Sequence, residues 1–227
     1  MTLAELIVQF RSLAFDEVEP YLFDDEKIIR WLNQALDEAC VRGRLIHEYD
    51  DPAVCTIAIN PNQTKYNTHP KLYEITHASL ALPSVNGGRR ENVCLISFEE
   101  MSCTDSDWRD ERDNHRLDPY FLIQHDTYVR LSRPTDEMGV LHLEGYRLPH
   151  KMTNDDDVPE IHLAHHERLI DWALHKAFGV PDSEVFDVNK SQMAQQRFTD
   201  YFGFRPDSDL RRITRHDVPH TVKPFWA

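Results

Sequence analysis

Leu3, Leu6, Phe10, Leu13 and Ala14 recur at spacings of three and four, which puts one apolar stripe on a helix ending near Ala14 or Phe15. Thr2 and Glu5 open it as a capping box, in which each side chain satisfies the other residue's free backbone N–H. A short linker around Pro20 follows. Asp24 is placed to cap a second helix with a buried stripe of Ile28, Trp31, Leu32, Ala35 and Ala39, and Gly43 stands where a C-terminal cap belongs.

Beyond residue 51 the period shortens. Runs of β-branched and apolar residues at 53–59, 71–82 and 92–96, broken by Pro, Asn and Gly, predict strands. Residues 120–124 and 127–131 flank His125-Asp126, a two-residue hairpin turn, and Val140, Leu141, Leu143 and Tyr146 mark a further strand. Between these halves, SFEEMSCTDSDWRDERDN is highly charged and reads as a short helix followed by an exposed loop. Helical period returns at Pro159, with Leu163, His166, Ile170, Ala173, Leu174 and Ala177 on one side, Trp172 on a neighbouring face, and a stop at Gly179 and Pro181. A last helix from about Ser183 carries Ala194, Phe198, Tyr201 and Phe202 and ends at Gly203. The expected class is α+β: a helical bundle formed by N- and C-terminal helix pairs at 1–51 and 150–203, a β-rich antiparallel insertion at 52–149, and an extended C-terminal tail at 204–227.

Composition narrows the function. The 227 residues carry 25 Lys+Arg against 39 Asp+Glu, a formal charge of −14. Gripping phosphates takes clustered cations, so this is not a surface that holds nucleic acid over its whole extent; surrounding DNA without holding it remains open. Only seven glycines occur, and Gly87-Gly88 precedes Arg89-Arg90 with neither GxGxxG nor GxxxxGK[ST], so no nucleotide phosphate loop is expected. No apolar run approaches the roughly 18–20 residues that cross a bilayer. The opening stretch MTLAELIVQFRSLAF lacks the basic leader of a secretory signal. Cys40, Cys55, Cys94 and Cys103 have no CxxC spacing and read as reduced, small core residues.

Candidate chemistry is thin. His162 and His166 stand one helical turn apart, the spacing at which two imidazoles hold one metal ion, and Asp155-Asp156-Asp157 upstream would add oxygen ligands for a metal-dependent hydrolase. Leu163 follows His162, however, so HExxH is absent; the three aspartates fit better as first-turn residues complementing the helix dipole, and His166 as a core imidazole. Asp105, Asp107, Asp110, Glu111 and Asp113 are interleaved with Trp108, Arg109 and Arg112 and lack an EF-hand glycine, which favours a solvated loop. There is no GxSxG elbow, and neither a cofactor nor catalysis is expected. The tail contrasts with the body: Arg205, Arg211, Arg212, Arg215 and Lys223 against Asp207, Asp209 and Asp217 give it a net charge of +2, and it ends on Phe225-Trp226-Ala227. Such a segment suits a docking peptide with an aromatic anchor.

WLNQALDEACVRGRLI near the start, GVLHLEGYRLP at the close of the β-rich span and PEIHLAHHERLIDWALHKAF at the last helix pair resemble the head-to-tail adaptor proteins of tailed bacteriophages, also called connector or neck proteins. The resemblance implies a structural virion protein, made in the host cytoplasm and built into the neck. It implies a homo-oligomeric ring, commonly of twelve subunits, between the portal vertex and the tail or a tail-completion protein, with DNA passing through the channel and no membrane partner. A C-terminal extension toward the portal is part of that picture, and Arg211, Arg212, Arg215, Phe225 and Trp226 are the residues expected to dock there. A tail terminator or another neck component is the nearest alternative. Twelve copies would carry about −168 formal charges, a channel environment to which DNA would not stick if the acidic residues line it.

Overall fold

The computed structural model describes residues 1–85, 87–104, 120–181 and 185–206. In chain order the elements are α1 (Leu3–Ala14), α2 (Asp25–Gly43), β1 (His47–Glu48), α3 (Pro52–Cys55), β2 (Thr56–Ile59), β3 (Lys65–Asn67), β4 (Leu72–Ala81) and β5 (Arg90–Ile96). They continue with α4 (Phe98–Thr104), β6 (Phe121–Gln124), β7 (Tyr128–Leu131), β8 (Gly139–Arg147), α5 (His166–Phe178) and α6 (Val188–Phe202). The chain divides into two compact units, one made of Met1–Ile46 with Leu148–Arg205 and the other of His47–Arg147.

In the first unit the predicted capping box is present. The Thr2 hydroxyl accepts the Glu5 N–H at 3.3 Å and the Glu5 carboxylate accepts the Thr2 N–H at 3.0 Å. Asp24 precedes α2 but makes no side-chain capping bond, and the helix runs through Gly43 to a left-handed Arg44 at φ 50°. Leu3, Leu6 and Phe10 of α1, Ile28, Leu32 and Leu36 of α2, Leu169 and Ala173 of α5, and Ala194 and Phe198 of α6 are sealed into one core. Asn33 ties α2 to the returning chain, donating to the Met152 carbonyl at 2.8 Å and accepting its N–H at 2.9 Å. The helix expected from Pro159 begins only at His166, after a 3₁₀ turn at Leu163–His165, which leaves Leu163 exposed instead of in the core. The final helix begins at Val188, where the Asp187 side chain caps the Lys190 N–H at 3.0 Å.

In the second unit the strands form one sheet in the order β1-β8-β4-β5-β6-β7-β3, with β2 also paired to β8. Leu80, Val93, Leu122, Val129, Leu131, Leu141 and Leu143 supply its core. The run 53–59 is split, because Asp51 caps the Ala53 N–H and Pro52 starts a single helical turn before β2 begins. The hairpin turn lies one residue later than expected: His125 N–H bonds the Tyr128 carbonyl at 2.8 Å, leaving Asp126-Thr127 at the corner.

The expectation of a helical bundle made by terminal helix pairs is corrected. The protein is mixed α+β, with an eight-stranded sheet curled into a half-barrel, and the six α-helices among the described residues include α3 and α4 inside the sheet's own span. Nor is the sheet wholly antiparallel, since β5 and β6 run parallel with Cys94 opposite Phe121. Short strands leave weak local periodicity beside the stronger helical periods, whereas their pairing collects them into one large element. Of the cysteines, Cys40 and Cys55 are buried as expected, but Cys94 and Cys103 are exposed.

Candidate interaction surfaces

At the C-terminal end of α1 the chain turns outward around a buried ion pair. The Arg11 guanidinium bonds Asp16 at 2.7 Å, the Phe23 carbonyl at 3.0 Å and Asp25 at 2.6 Å, and lies 3.8 Å from the centre of the Tyr21 ring. Asp16 in turn accepts the N–H groups of Leu22 at 2.6 Å and Phe23 at 3.2 Å. This knot fixes the path after α1 and holds Phe15 in the left-handed region (φ 59°, ψ 35°) with its ring 81% exposed. Beside it lies a groove of about 420 Å³, with Leu13 and Phe15 from the α1 end, Leu174 and Phe178 of α5, and Met193 of α6. Lys190 stands over the rings of Phe15 and Phe178 at 5.6 and 5.5 Å, within cation–π range, and Arg197 bonds Asp171 at 2.7 Å.

The opposite end of α1 meets the acidic loop. Leu3 N–H donates to the Asp157 carbonyl at 2.8 Å and Ala4 N–H to the Asp155 carbonyl at 3.1 Å. The three aspartates therefore sit at the start of α1, not in the first turn of α5 as expected, because α5 begins well after them. Asp157 accepts the Thr153 N–H at 2.6 Å and the Asn154 N–H at 2.8 Å. These bonds, that from Asn154 above all, pull its carboxyl below the ordinary aspartate value and set the loop's shape. Asp155 and Asp156 face solvent, as do Val158 at 55% and Leu163 at 65% exposure.

His162 and His166 are not brought together on one helical face. His162 precedes the 3₁₀ turn with extended backbone and accepts the Ala164 N–H at 3.2 Å. His166 is buried, with Nε2 3.0 Å from the Ile161 carbonyl oxygen and Nδ1 3.1 Å from the Met1 amino group, so both ring nitrogens are engaged in holding the fold. Among the described residues no group of three or more His, Cys, Asp or Glu side chains is arranged to hold a metal ion. Ser191 and His175 touch at 3.0 Å, but Ser191 is buried and its hydroxyl lies 2.9 Å from the His175 carbonyl, a tie between α5 and α6. Burial pushes the His175 imidazole below its ordinary pKa, more than its bond to the Ser191 backbone raises it.

The β unit offers a pocket of about 610 Å³ lined by Leu80, Leu82, Val85, Val93 and Tyr120, with the Arg133 guanidinium 4.0 Å above the Tyr120 ring. On the same unit the carboxylate of Glu48 accepts from Arg147 at 2.8 Å and from the backbone of Asp50 and Asp51. The expected docking residues Arg211, Arg212, Arg215, Phe225 and Trp226 lie outside the described residues, as do Asp105, Asp107, Asp110, Glu111 and Asp113. The Phe15 groove and the exposed apolar residues of the 154–163 loop were missed in the sequence. An aromatic residue at a helix C-terminus, where Gly or Asn is usual, was the available signal for the first.

Among the described residues no helix is long and apolar enough to cross a membrane. No curated protein matches the chain. The family model described as SU10 adaptor protein matches residues 1–223, and with nearly the whole chain so covered, this protein belongs to the SU10 adaptor family of phage structural adaptor proteins.

Proposed function

We propose that the chain is a structural component of the phage neck, forming a homo-oligomeric ring that joins the portal vertex of the head to the tail and lets DNA pass through its channel. The observation that carries this reading is the family match over residues 1–223. Exposed apolar side chains on the helical unit, Phe15, Leu163 and Met193 among them, support extensive contact with other chains. A formal charge of −14 supports a channel that DNA traverses without counterion-release attraction. In this reading the +2 tail reaches the portal, with Arg211, Arg212 and Arg215 meeting acidic groups and Phe225 and Trp226 filling an apolar pocket. The other face receives the tail or a tail-completion protein. Twelve copies is the number that the resemblance suggests.

The test is to weigh this chain against the portal protein in purified particles by quantitative mass spectrometry, and to delete residues 216–227. The expected results are a ratio near one to the portal subunit, filled but tailless heads when the gene is lost, and weakened portal binding on truncation. Absence of the chain from particles would overturn the reading, and intact portal binding after truncation would remove the docking role of the tail.

A further inference from the structure

Phe15 is badly placed for an isolated subunit. It occupies a left-handed position that costs a non-glycine residue about 1 kcal/mol, and its ring is 81% exposed to water. Glycine or asparagine would relieve both faults. The Arg11–Asp16 knot nevertheless holds it there, beside a preformed groove whose charged lining is Lys190 and Arg197 against Asp171. A side chain kept in strain with no partner among the described residues large enough to cover it marks a contact made with something else.

The complementary surface is on the same unit. The 154–163 loop shows Val158 and Leu163 to solvent after the exposed carboxylates of Asp155 and Asp156. Asp157 organises it internally, and its backbone is bonded to Leu3 and Ala4, so it is shaped in advance. The loop caps the first turn of α1 and the groove begins at the last, which places them at opposite ends of a helix of 12 residues, about 18 Å long. One end is apolar with Lys190 in excess over the Arg197–Asp171 pair, and the other is apolar with anions. Two different, complementary faces on opposite ends of a rigid unit are the requirement for head-to-tail association, the mode that closes into rings.

We infer that the 154–163 loop of one copy seats in the Phe15 groove of the next. Val158 and Leu163 then meet Leu13, Phe15 and Met193, while Asp155 and Asp156 face Lys190 and Arg197. The inference rests on the ring reading above and names the surfaces that build it.

Particles are assembled with a chain carrying Val158→Cys and Met193→Cys, the exposed Cys94 and Cys103 being changed to Ser, and treated with a short bis-maleimide. The expected product is a ladder of dimer, trimer and larger species, with each single-cysteine chain remaining monomeric and an equal mixture of the two stopping at dimer. Several copies per particle with no ladder, or dimers from Val158→Cys alone, would overturn this pairing and leave the ring standing. One copy per particle would overturn the ring itself. A second variant separates interface from folding: Phe15→Gly is expected to leave the melting temperature of the purified chain unchanged or raised, while incorporation into particles falls at least tenfold. Normal incorporation of Phe15→Gly would sink the role of the groove, as would a lowered melting temperature that accounts for the loss.

Discussion

Glu48 is held ionised by its surroundings. A hydrogen bond from Arg147 is the largest influence, burial opposes it, and the N–H groups of Asp51 and Asp50 help; together they take the carboxyl from 4.5 to about 2. A folded-state pKa below the unfolded value means that the unfolded chain binds the proton first as pH falls. The pair's contribution is therefore fully present above about pH 5 and is lost progressively as pH drops toward 2, by about 1–2 kcal/mol once solvent screening of the pair is allowed for. Glu48→Gln has no such proton to bind. Urea unfolding of both chains across this range should show the wild-type advantage shrinking toward low pH, and a difference that stays constant would mean that Glu48 does not titrate as described. Arg11 and Asp16 work differently: their pair is enclosed, and what it provides is position, holding the 16–25 linker and with it Phe15.

At the scale of elements, β4 and β8 carry the longest pairing in the sheet, and it is irregular. Their register shifts between Ile75 and His77, and opposite this bulge the Glu74 carbonyl oxygen stands 2.0 Å from where a Cβ of residue 145 would be. Gly145 is thus required by close backbone approach, a steric condition distinct from a turn. Gly145→Ala must force the two strands apart or shift the bulge, and should cost about 2 kcal/mol or more, read as a lower urea midpoint by far-UV circular dichroism. A midpoint equal to wild type would show that the sheet yields freely there. That glycine illustrates why the sequence was legible only in part. Thr2 and Glu5 announce a helix start because capping is local, and the apolar stripes of α1 and α2 follow from a period that any window reveals. Nothing local announces β1 or β3, two and three residues long, which exist because β8 and β7 offer edges to pair with. The parallel join of β5 to β6 depends likewise on partners distant in the chain. The same holds for the surfaces: Asp155-Asp156-Asp157 is conspicuous, but its place at the start of α1, about 18 Å of helix from Phe15, depends on backbone bonds between residues more than 150 positions apart.

For the whole molecule, charge sets two opposing demands on the proposed ring. Copies at −14 repel one another over distances comparable to the Debye length, about 30 Å at 0.01 M salt and about 8 Å at 0.15 M. The contacts inferred at the groove act at atomic range and are largely apolar, so salt weakens them far less. Raising salt from about 0.01 M to about 0.15 M should therefore promote loading of purified chain onto heads that lack it, by several-fold, with a plateau beyond as the long-range repulsion is exhausted. The attraction between the +2 tail and an acidic portal surface would act in the opposite sense. A loading curve that falls steadily with salt would mean that such attraction outweighs repulsion between copies, and that assembly is governed by the tail instead of the helical unit. Removing residues 216–227, which takes away Lys223 and Asp217 and leaves the arginines in place, should lower the plateau without changing the rise, because the rise belongs to the body of the chain.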